Sequence, residues 1–184
     1  VILSIFLIKN KRDFLTTIFS FFILTFFLSV FEKTDTEDYH SPYQNVTVEY
    51  FNNNHTPIQI KSNNIWLQVP LNLSEDHYIK KSESWYELYS LPHKIKNFES
   101  KETLIVGSGV GNDVAATLRD SSAKIDAVEI DPLVADLGIK FHPEKPYLNE
   151  RVKLTINDAR NFIKETKKKY DLIIYSVLDS HANL

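Results

Sequence analysis

The sequence contains neither cysteine nor methionine. Without cysteine the chain cannot form disulfides, thiolate zinc sites or a cysteine nucleophile, although its redox compartment stays open. Because methionine is missing even at position 1 and the chain starts in an apolar run, we expect an internal piece of a longer polypeptide. The net charge of −3 gives no electrostatic reason to expect nucleic-acid binding. The histidines lack metal-ligand spacing, so no metal site is expected.

Glycine is scarce as well, and three of the four glycines, Gly107, Gly109 and Gly111, lie in one stretch. We call residues 107–111 the glycine bend. An apolar run that is typical of a buried strand precedes it, and Asp113 opens an apparent helix after it. A second apolar strand, Ile125 to Ile130, then ends in the acids Glu129 and Asp131. A glycine bend between strand and helix, followed by an acid that can accept hydrogen bonds from a ribose diol, predicts a nucleoside site.

A long apolar segment lies near the start of the chain. Residues 14–31 carry no charge and are dominated by phenylalanine, leucine and isoleucine. Their length is close to the minimum for a membrane span, so a transmembrane helix is the favoured interpretation of residues 14–31. Residues 1–31 together are predicted to form the membrane part of the chain. The core of a signal peptide and a buried soluble helix are the alternatives.

Two considerations give opposite orientations for such a helix in the membrane. The basic residues 9–12 precede the segment, and the positive-inside rule would place them in the cytoplasm. One crossing would then put the nucleoside site outside, where nucleoside cofactors are scarce. We expect a membrane protein whose α/β domain is cytoplasmic, and the conflict stays open.

The remaining chain divides into three parts. Residues 32–44 are acidic and polar and predict a linker. Residues 45–83 predict a small β unit with strands near 46–51, 57–61 and 65–69, followed by a helix at 82–91 that Pro92 ends. Residues 84–184 predict an α/β domain that contains the nucleoside site.

Strand and helix patterns alternate in this last part. The predicted strands are 103–107, 125–130, 152–156 and 171–175, and the predicted helices are 112–120, 132–140 and 159–168. This rhythm is typical of a parallel sheet that binds ligands at the carboxyl ends of its strands. Only about four strands are present, so we expect a truncated sheet whose far half is missing.

Several short motifs resemble those of spermidine synthases, in the same order. They are Ser41-Pro-Tyr-Gln44, Trp85-Tyr-Glu87, Gly107-Ser-Gly-Val-Gly111, Val128-Glu-Ile-Asp131, Asn157-Asp-Ala159 and Tyr170-Asp-Leu-Ile-Ile174. The resemblance covers residues 41–184. It implies a small β domain before a Rossmann-like class I methyltransferase fold, and binding of decarboxylated S-adenosylmethionine. The apolar segment and the ending Leu178-Asp-Ser-His181 resemble the membrane-associated bacterial branch of this family.

The resemblance also implies roles for individual residues. Glu129 would bind the ribose hydroxyls, Asp158 and Ala159 would meet the adenine, and Gln44 would reach the nucleoside or its sulfur end. The glycines of the bend would lie under the amino-acid side of the cofactor. Simpler alternatives remain: Asp158 as the cap of the following helix, Gln44 as a surface residue, and Asp131 as an N-cap.

The acceptor side departs from the family pattern. The family usually has acids where this chain has Val110 and Ser176, with Asp179 retained, and a histidine or glutamine where it has Tyr86. Loss of two carboxylates from a site for a dication should cost several kcal/mol, so authentic spermidine synthesis is not expected. Asp179 and His181 lie where the acceptor would enter, and His181 is either a general base or a polar loop residue.

Three functions are therefore compared. The first is a transferase that uses S-adenosylmethionine or its decarboxylated form, with an amine or other small molecule as acceptor, and with a homodimer as a further expectation. The second is a non-catalytic nucleoside-binding domain of a membrane protein. The third, an oxidoreductase that uses NAD, is disfavoured because dinucleotide sites place their third glycine one position later.

Overall fold

A computed structural model describes residues 11–30, 35–50, 59–74, 84–120 and 123–176. The chain divides into two compact units, Val1–Thr34 and Asp35–Leu184. The first contains one described helix, α1, and the second contains two four-stranded sheets with their helices.

Helix α1 (Lys11–Val30) has 20 residues. It begins with Lys11, Arg12 and Asp13, so its apolar part is shorter than the helix and measures about 25 Å at ~1.5 Å per residue. A typical hydrocarbon core is about 30 Å thick. No helix within the described ranges is long and apolar enough to cross a membrane. The structure therefore supports a helix over most of residues 14–31 but not the predicted transmembrane span.

The second unit begins with an antiparallel sheet of four strands in sequential order. The strands are β1 (Asp35–His40), β2 (Asn45–Tyr50), β3 (Gln59–Ser62) and β4 (Ile65–Gln68). Strands β2 to β4 confirm the predicted small β unit. The prediction of a linker over residues 32–44 is wrong for β1, which pairs with β2 from Asp35 opposite Tyr50 to His40 opposite Asn45. Because β1 is a mostly exposed edge strand, it lacks the apolar alternation that would have revealed it.

Helix α2 (Ser84–Ile95) connects the antiparallel sheet to the second sheet. Pro92 lies inside this helix instead of ending it, so the predicted end near residue 91 is wrong. Proline removes one backbone donor, but it does not stop the three residues after it from continuing the last turn.

The second sheet is parallel and its strands follow the order β7-β6-β5-β8. Its strands are β5 (Glu102–Val106), β6 (Lys124–Glu129), β7 (Val152–Ile156) and β8 (Leu172–Tyr175). The helices between them are α3 (Asn112–Thr117), α4 (Pro132–Phe141) and α5 (Ala159–Glu165), with a 3₁₀ turn at Pro146–Leu148. All four predicted strands and all three predicted helices are confirmed, although α3 and α5 end three residues early.

Each face of the parallel sheet has its own apolar core. Ile105 of β5 packs with Val114 of α3 and with Tyr147 on one face. Its neighbour Leu104 packs with Val128 and the half-buried Phe162 of α5 on the other face. This division follows from the two-residue period of a strand, and it places α3 and α5 on opposite sides of the sheet.

A third core joins the antiparallel sheet to the α/β part. Val46 and Ile60 of the antiparallel sheet pack against Val110 of the glycine bend and Val134 and Leu137 of α4. Val110 has no exposed surface. The small β unit is therefore docked directly on the bend, and the site described below forms where the two sheets meet.

Candidate functional site

The carboxyl ends of the four parallel strands meet at one edge. The sheet order places Asp158, which follows β7, on one side of Glu129 at the end of β6. The glycine bend follows β5, and Ser176 follows β8 on the far side. Ligands of open parallel sheets bind at this edge, so the fold brings the predicted nucleoside residues to the expected place.

The bend takes a conformation that few residues other than glycine adopt. The φ angles of Gly107, Gly109 and Gly111 are 70°, 55° and 102°. A Cβ on Gly109 would lie 2.3 Å from Oε1 of Gln68, and a Cβ on Gly111 would lie 2.9 Å from Cγ of Pro146. Glycine is therefore needed here both for the left-handed backbone and for close approach.

Glu129 is hydrogen-bonded directly to the glycine bend. Its Oε2 accepts a hydrogen bond from the Gly109 N–H at 2.7 Å, and its Oε1 accepts from the Asp131 N–H at 2.9 Å. Its exposed fraction is 7%. Burial raises the pKa of the Glu129 carboxyl, and the backbone donors offset part of that rise. A carboxylate has about four accepting positions, so these bonds leave room for a further donor such as a ribose hydroxyl.

Two residues that the sequence analysis did not single out hold the rest of the bend. The Tyr147 hydroxyl donates to the Gly109 carbonyl at 2.6 Å and lies 2.9 Å from Oγ of Ser108. Gln68, at the end of β4, accepts from the Val110 N–H at 2.9 Å. Neither lies in a recognisable motif, so only the tertiary fold reveals that they fix the loop.

Gln44 lies at the same edge through its contact with Asp131. Its Nε2 donates to Oδ2 of Asp131 at 2.9 Å, and its Oε1 accepts from Ser62 at 2.5 Å. Asp131 caps α4 by accepting from the Leu133 N–H, which confirms its interpretation as an N-cap. Gln44 thus ties the β unit to the helix next to Glu129, and its contact with a nucleoside stays a prediction.

Asp158 is the N-cap of α5. Its Oδ1 accepts from the Arg160 N–H at 2.8 Å, and the Arg160 guanidinium lies 2.7 Å from Oδ2. These bonds lower the pKa of Asp158 to about 2. Ala159 packs against the apolar core that contains Leu104. Their position beside Glu129 suits an adenine ring, while the contact itself stays a prediction.

The acceptor side has a different arrangement from the one that the sequence predicts. Val110 does not face the edge, because its side chain is buried in the core with the β unit. Ser176, at the other position where the family usually has an acid, donates to Oδ2 of Asp113 at 2.5 Å. Burial raises the pKa of the Asp113 carboxyl. A half-buried carboxylate therefore does lie on this side, at a place that the motif comparison missed.

The two predicted catalytic residues, Asp179 and His181, lie outside the described residues. Their roles stay predictions. The described acceptor side ends at Ser176.

The model of the spermine/spermidine synthase domain family matches residues 87–183, more than half of the 184-residue chain. The chain belongs to this family. The resemblance predicted from the motifs is thereby confirmed.

Polyamine aminopropyltransferases from several organisms are similar to part of this chain. The polyamine aminopropyltransferase of Buchnera aphidicola subsp. Acyrthosiphon pisum is 40% identical over 83 residues, which cover 43% of this chain and 29% of that protein. The corresponding protein of Sulfurisphaera tokodaii is 35% identical over 83 residues, which cover 43% of this chain and 28% of that protein. The chain therefore spans less than a third of the length of the curated relatives that it matches.

Solved spermidine synthases share the fold. The enzyme from Thermotoga maritima has a TM-score of 0.61 and 18% identity, over 78% of this chain and 46% of that chain. A spermidine synthase in complex with the transition state analogue AdoDATO has a TM-score of 0.62 at the same identity and coverage. At this identity the likeness shows the fold alone, which is an α/β fold with a parallel sheet that resembles class I methyltransferases.

Proposed function

We propose that the chain forms the donor-binding part of a transferase that uses decarboxylated S-adenosylmethionine and an amine acceptor. The observation that carries this proposal is the contact between Glu129 and the glycine bend. It places a desolvated carboxylate with free accepting capacity 2.7 Å from the turn that makes room for a ligand. Such an acid at the end of the second strand is suited to a ribose diol.

The charges at the bend favour the decarboxylated donor. A donor that kept its carboxylate would need N–H donors or a cation for its tail. The N–H groups of Gly109 and Val110 already bond to Glu129 and Gln68. Asp113 adds a carboxylate nearby, which would attract the ammonium group that both donors carry and repel the carboxylate that only S-adenosylmethionine carries. S-adenosylmethionine is therefore the weaker candidate of the two.

The names of the relatives supply the reaction class. For an aminopropyl transfer, the amine nitrogen attacks the carbon next to the sulfonium. The new N–C bond forms as the C–S bond breaks, the sulfur keeps the electron pair and becomes a thioether, and the ammonium product loses a proton. The bend and Glu129 would hold the nucleoside still while this in-line exchange takes place.

A non-catalytic nucleoside-binding domain is the second candidate. It is favoured by the burial of Val110 and by serine at position 176, because both positions usually hold acids in the family. It shares the nucleoside site with the first candidate and differs only on the acceptor side. A cytoplasmic α/β unit and a homodimer stay predictions for either candidate.

Calorimetry of the chain with four ligands tests the proposal. They are 5′-methylthioadenosine, decarboxylated S-adenosylmethionine, S-adenosylmethionine and NAD. We expect binding of the first two, weaker binding of the third and none of NAD. The release of methylthioadenosine in the presence of 1,4-diaminobutane then separates the transferase from the binding domain. Equal binding of NAD, or no binding of any adenosine ligand, would overturn the proposal.

A further inference from the structure

The described site contains a second carboxylate that the family motifs do not account for. Asp113 lies in the first turn of α3, two residues beyond the glycine bend. Its Oδ2 accepts a hydrogen bond from Ser176 at 2.5 Å. This contact joins the start of α3 to the end of β8, on the side of the bend opposite to Glu129.

The described residues around Asp113 include no cation that pairs with it. Among the residues that the structure describes, no lysine or arginine lies within 4.0 Å of it. Its neighbours include the Ser176 hydroxyl and the hydroxyl of Tyr89, which accepts a hydrogen bond from Asn112. A partly buried carboxylate with neutral partners is costly unless a cation is bound next to it.

The contact with Ser176 relates the position of Asp113 to the family pattern. The family usually has an acid at position 176, and this chain has serine there. The serine hydroxyl reaches the Asp113 carboxylate across the gap between α3 and β8, so the negative charge stands about one hydrogen bond from where the family would have it. In this chain the carboxylate therefore lies on α3, one hydrogen bond away from position 176.

We propose that Asp113, oriented by Ser176, pairs with a primary ammonium group of the bound reactants. This inference rests on the proposed function, because it assumes that the nucleoside occupies the Glu129 side. The ammonium belongs either to the acceptor amine or to the aminopropyl tail of the donor. Both present the same chemistry to Asp113, namely a cation with three N–H donors.

The test uses Asp113→Asn, which keeps the size of the side chain and removes its charge. In one arm, chain saturated with 5′-methylthioadenosine is titrated with 1,4-diaminobutane. In the other, decarboxylated S-adenosylmethionine is titrated into the chain alone. We expect the affinity to fall about tenfold or more in one of the two arms, the usual effect of losing a charge-assisted hydrogen bond. The arm that responds identifies the source of the ammonium.

Two further variants serve as a control and as a test of rescue. Asp136→Asn removes an exposed carboxylate from α4 and should change neither arm. The double variant Asp113→Asn with Ser176→Asp returns a carboxylate to the other side of the 2.5 Å contact and should recover part of the lost affinity. Binding of 5′-methylthioadenosine itself reports whether each variant is folded.

The outcomes separate this inference from the proposed function. If unaltered chain does not bind 5′-methylthioadenosine, the proposed function fails. If that nucleoside binds but Asp113→Asn leaves both arms unchanged, the role of Asp113 is refuted. The role of Asp113 would also be refuted if an ammonium group added no affinity to the unaltered chain. In that case 1,4-diaminobutane would not bind to the saturated chain, and decarboxylated S-adenosylmethionine would bind no more tightly than 5′-methylthioadenosine.

Discussion

The two sides of the glycine bend hold their carboxylates in different ways. Glu129 accepts from two backbone N–H groups and is fixed by the loop that it serves. Asp113 accepts from one side-chain hydroxyl at the end of β8. Backbone donors cannot be replaced by a point substitution, whereas Ser176 can. The proposed nucleoside side is therefore held by the backbone, and the proposed acceptor side depends on a contact between two side chains.

The largest expected effect comes from altering the bend itself. In Gly109→Ala the new Cβ would lie 2.3 Å from Oε1 of Gln68 at a φ of 55°, so the loop is strained by about 1–3 kcal/mol. Any shift of the Gly109 N–H also disturbs Glu129, and we expect binding of 5′-methylthioadenosine to weaken roughly tenfold to hundredfold. Calorimetry and thermal unfolding measure the two effects.

A second variant identifies the cause. Adding Gln68→Ala to Gly109→Ala removes the clash but leaves the positive φ, and it also removes the acceptor of the Val110 N–H. The double variant is therefore compared with Gln68→Ala alone and should be less stable. Equal stability of these two variants would show that crowding alone requires glycine at this position. Asp136→Ala, on the exposed face of α4, serves as the control.

The pH dependence of stability compares the two carboxyls. Burial raises the pKa of both Glu129 and Asp113, so each folded carboxyl holds its proton more tightly than the unfolded one. As the pH rises from about 4 through each raised pKa, the folded state therefore loses stability relative to a variant without that charge. We expect the stabilities of Glu129→Gln and Asp113→Asn, minus that of the unaltered chain, to increase with pH across this window.

Urea unfolding between pH 4 and pH 8 measures these differences. The comparison between variants matters because His142, whose pKa burial lowers to about 4, imposes the opposite trend below about pH 6.5. That trend is common to all three proteins and cancels in the difference. Differences that do not change with pH would contradict the proposed burial of the two charges.

The smallest effect is expected at the adenine end. Asp158→Ser keeps an N-cap for α5 but removes the carboxylate. If Asp158 accepts from the adenine amine, the unaltered chain should prefer 5′-methylthioadenosine over 5′-methylthioinosine by about tenfold, and the variant should lose that preference. An unchanged preference would leave Asp158 as a helix cap only.

The sequence predicted the α/β part well because its signals are local. Asp131 before Pro132 marks the start of α4, and the apolar run 103–106 is typical of a buried strand. The family motifs also gave the position of Glu129. These features depend on residues that are neighbours in the chain, and they were confirmed where the structure describes them.

Features that depend on distant pairs were missed. Strand β1 forms only because β2 pairs with it, and its own residues are mostly exposed. Val110 was assigned to the acceptor side by motif position, but its side chain packs with Val46 and Ile60 of the other sheet. The approach of Asp113 to Ser176 spans 63 positions of the chain, and no local pattern indicates it.

A thermodynamic cycle that alters both the ligand and the protein tests the role of Glu129 most directly. The affinities of 5′-methylthioadenosine and its 2′-deoxy analogue are measured by calorimetry on the unaltered chain and on Glu129→Gln. If Glu129 holds the ribose diol, removing the 2′-hydroxyl should cost the unaltered chain about tenfold and the variant almost nothing. An equal loss in both proteins would show that the diol is bound elsewhere and would contradict the account.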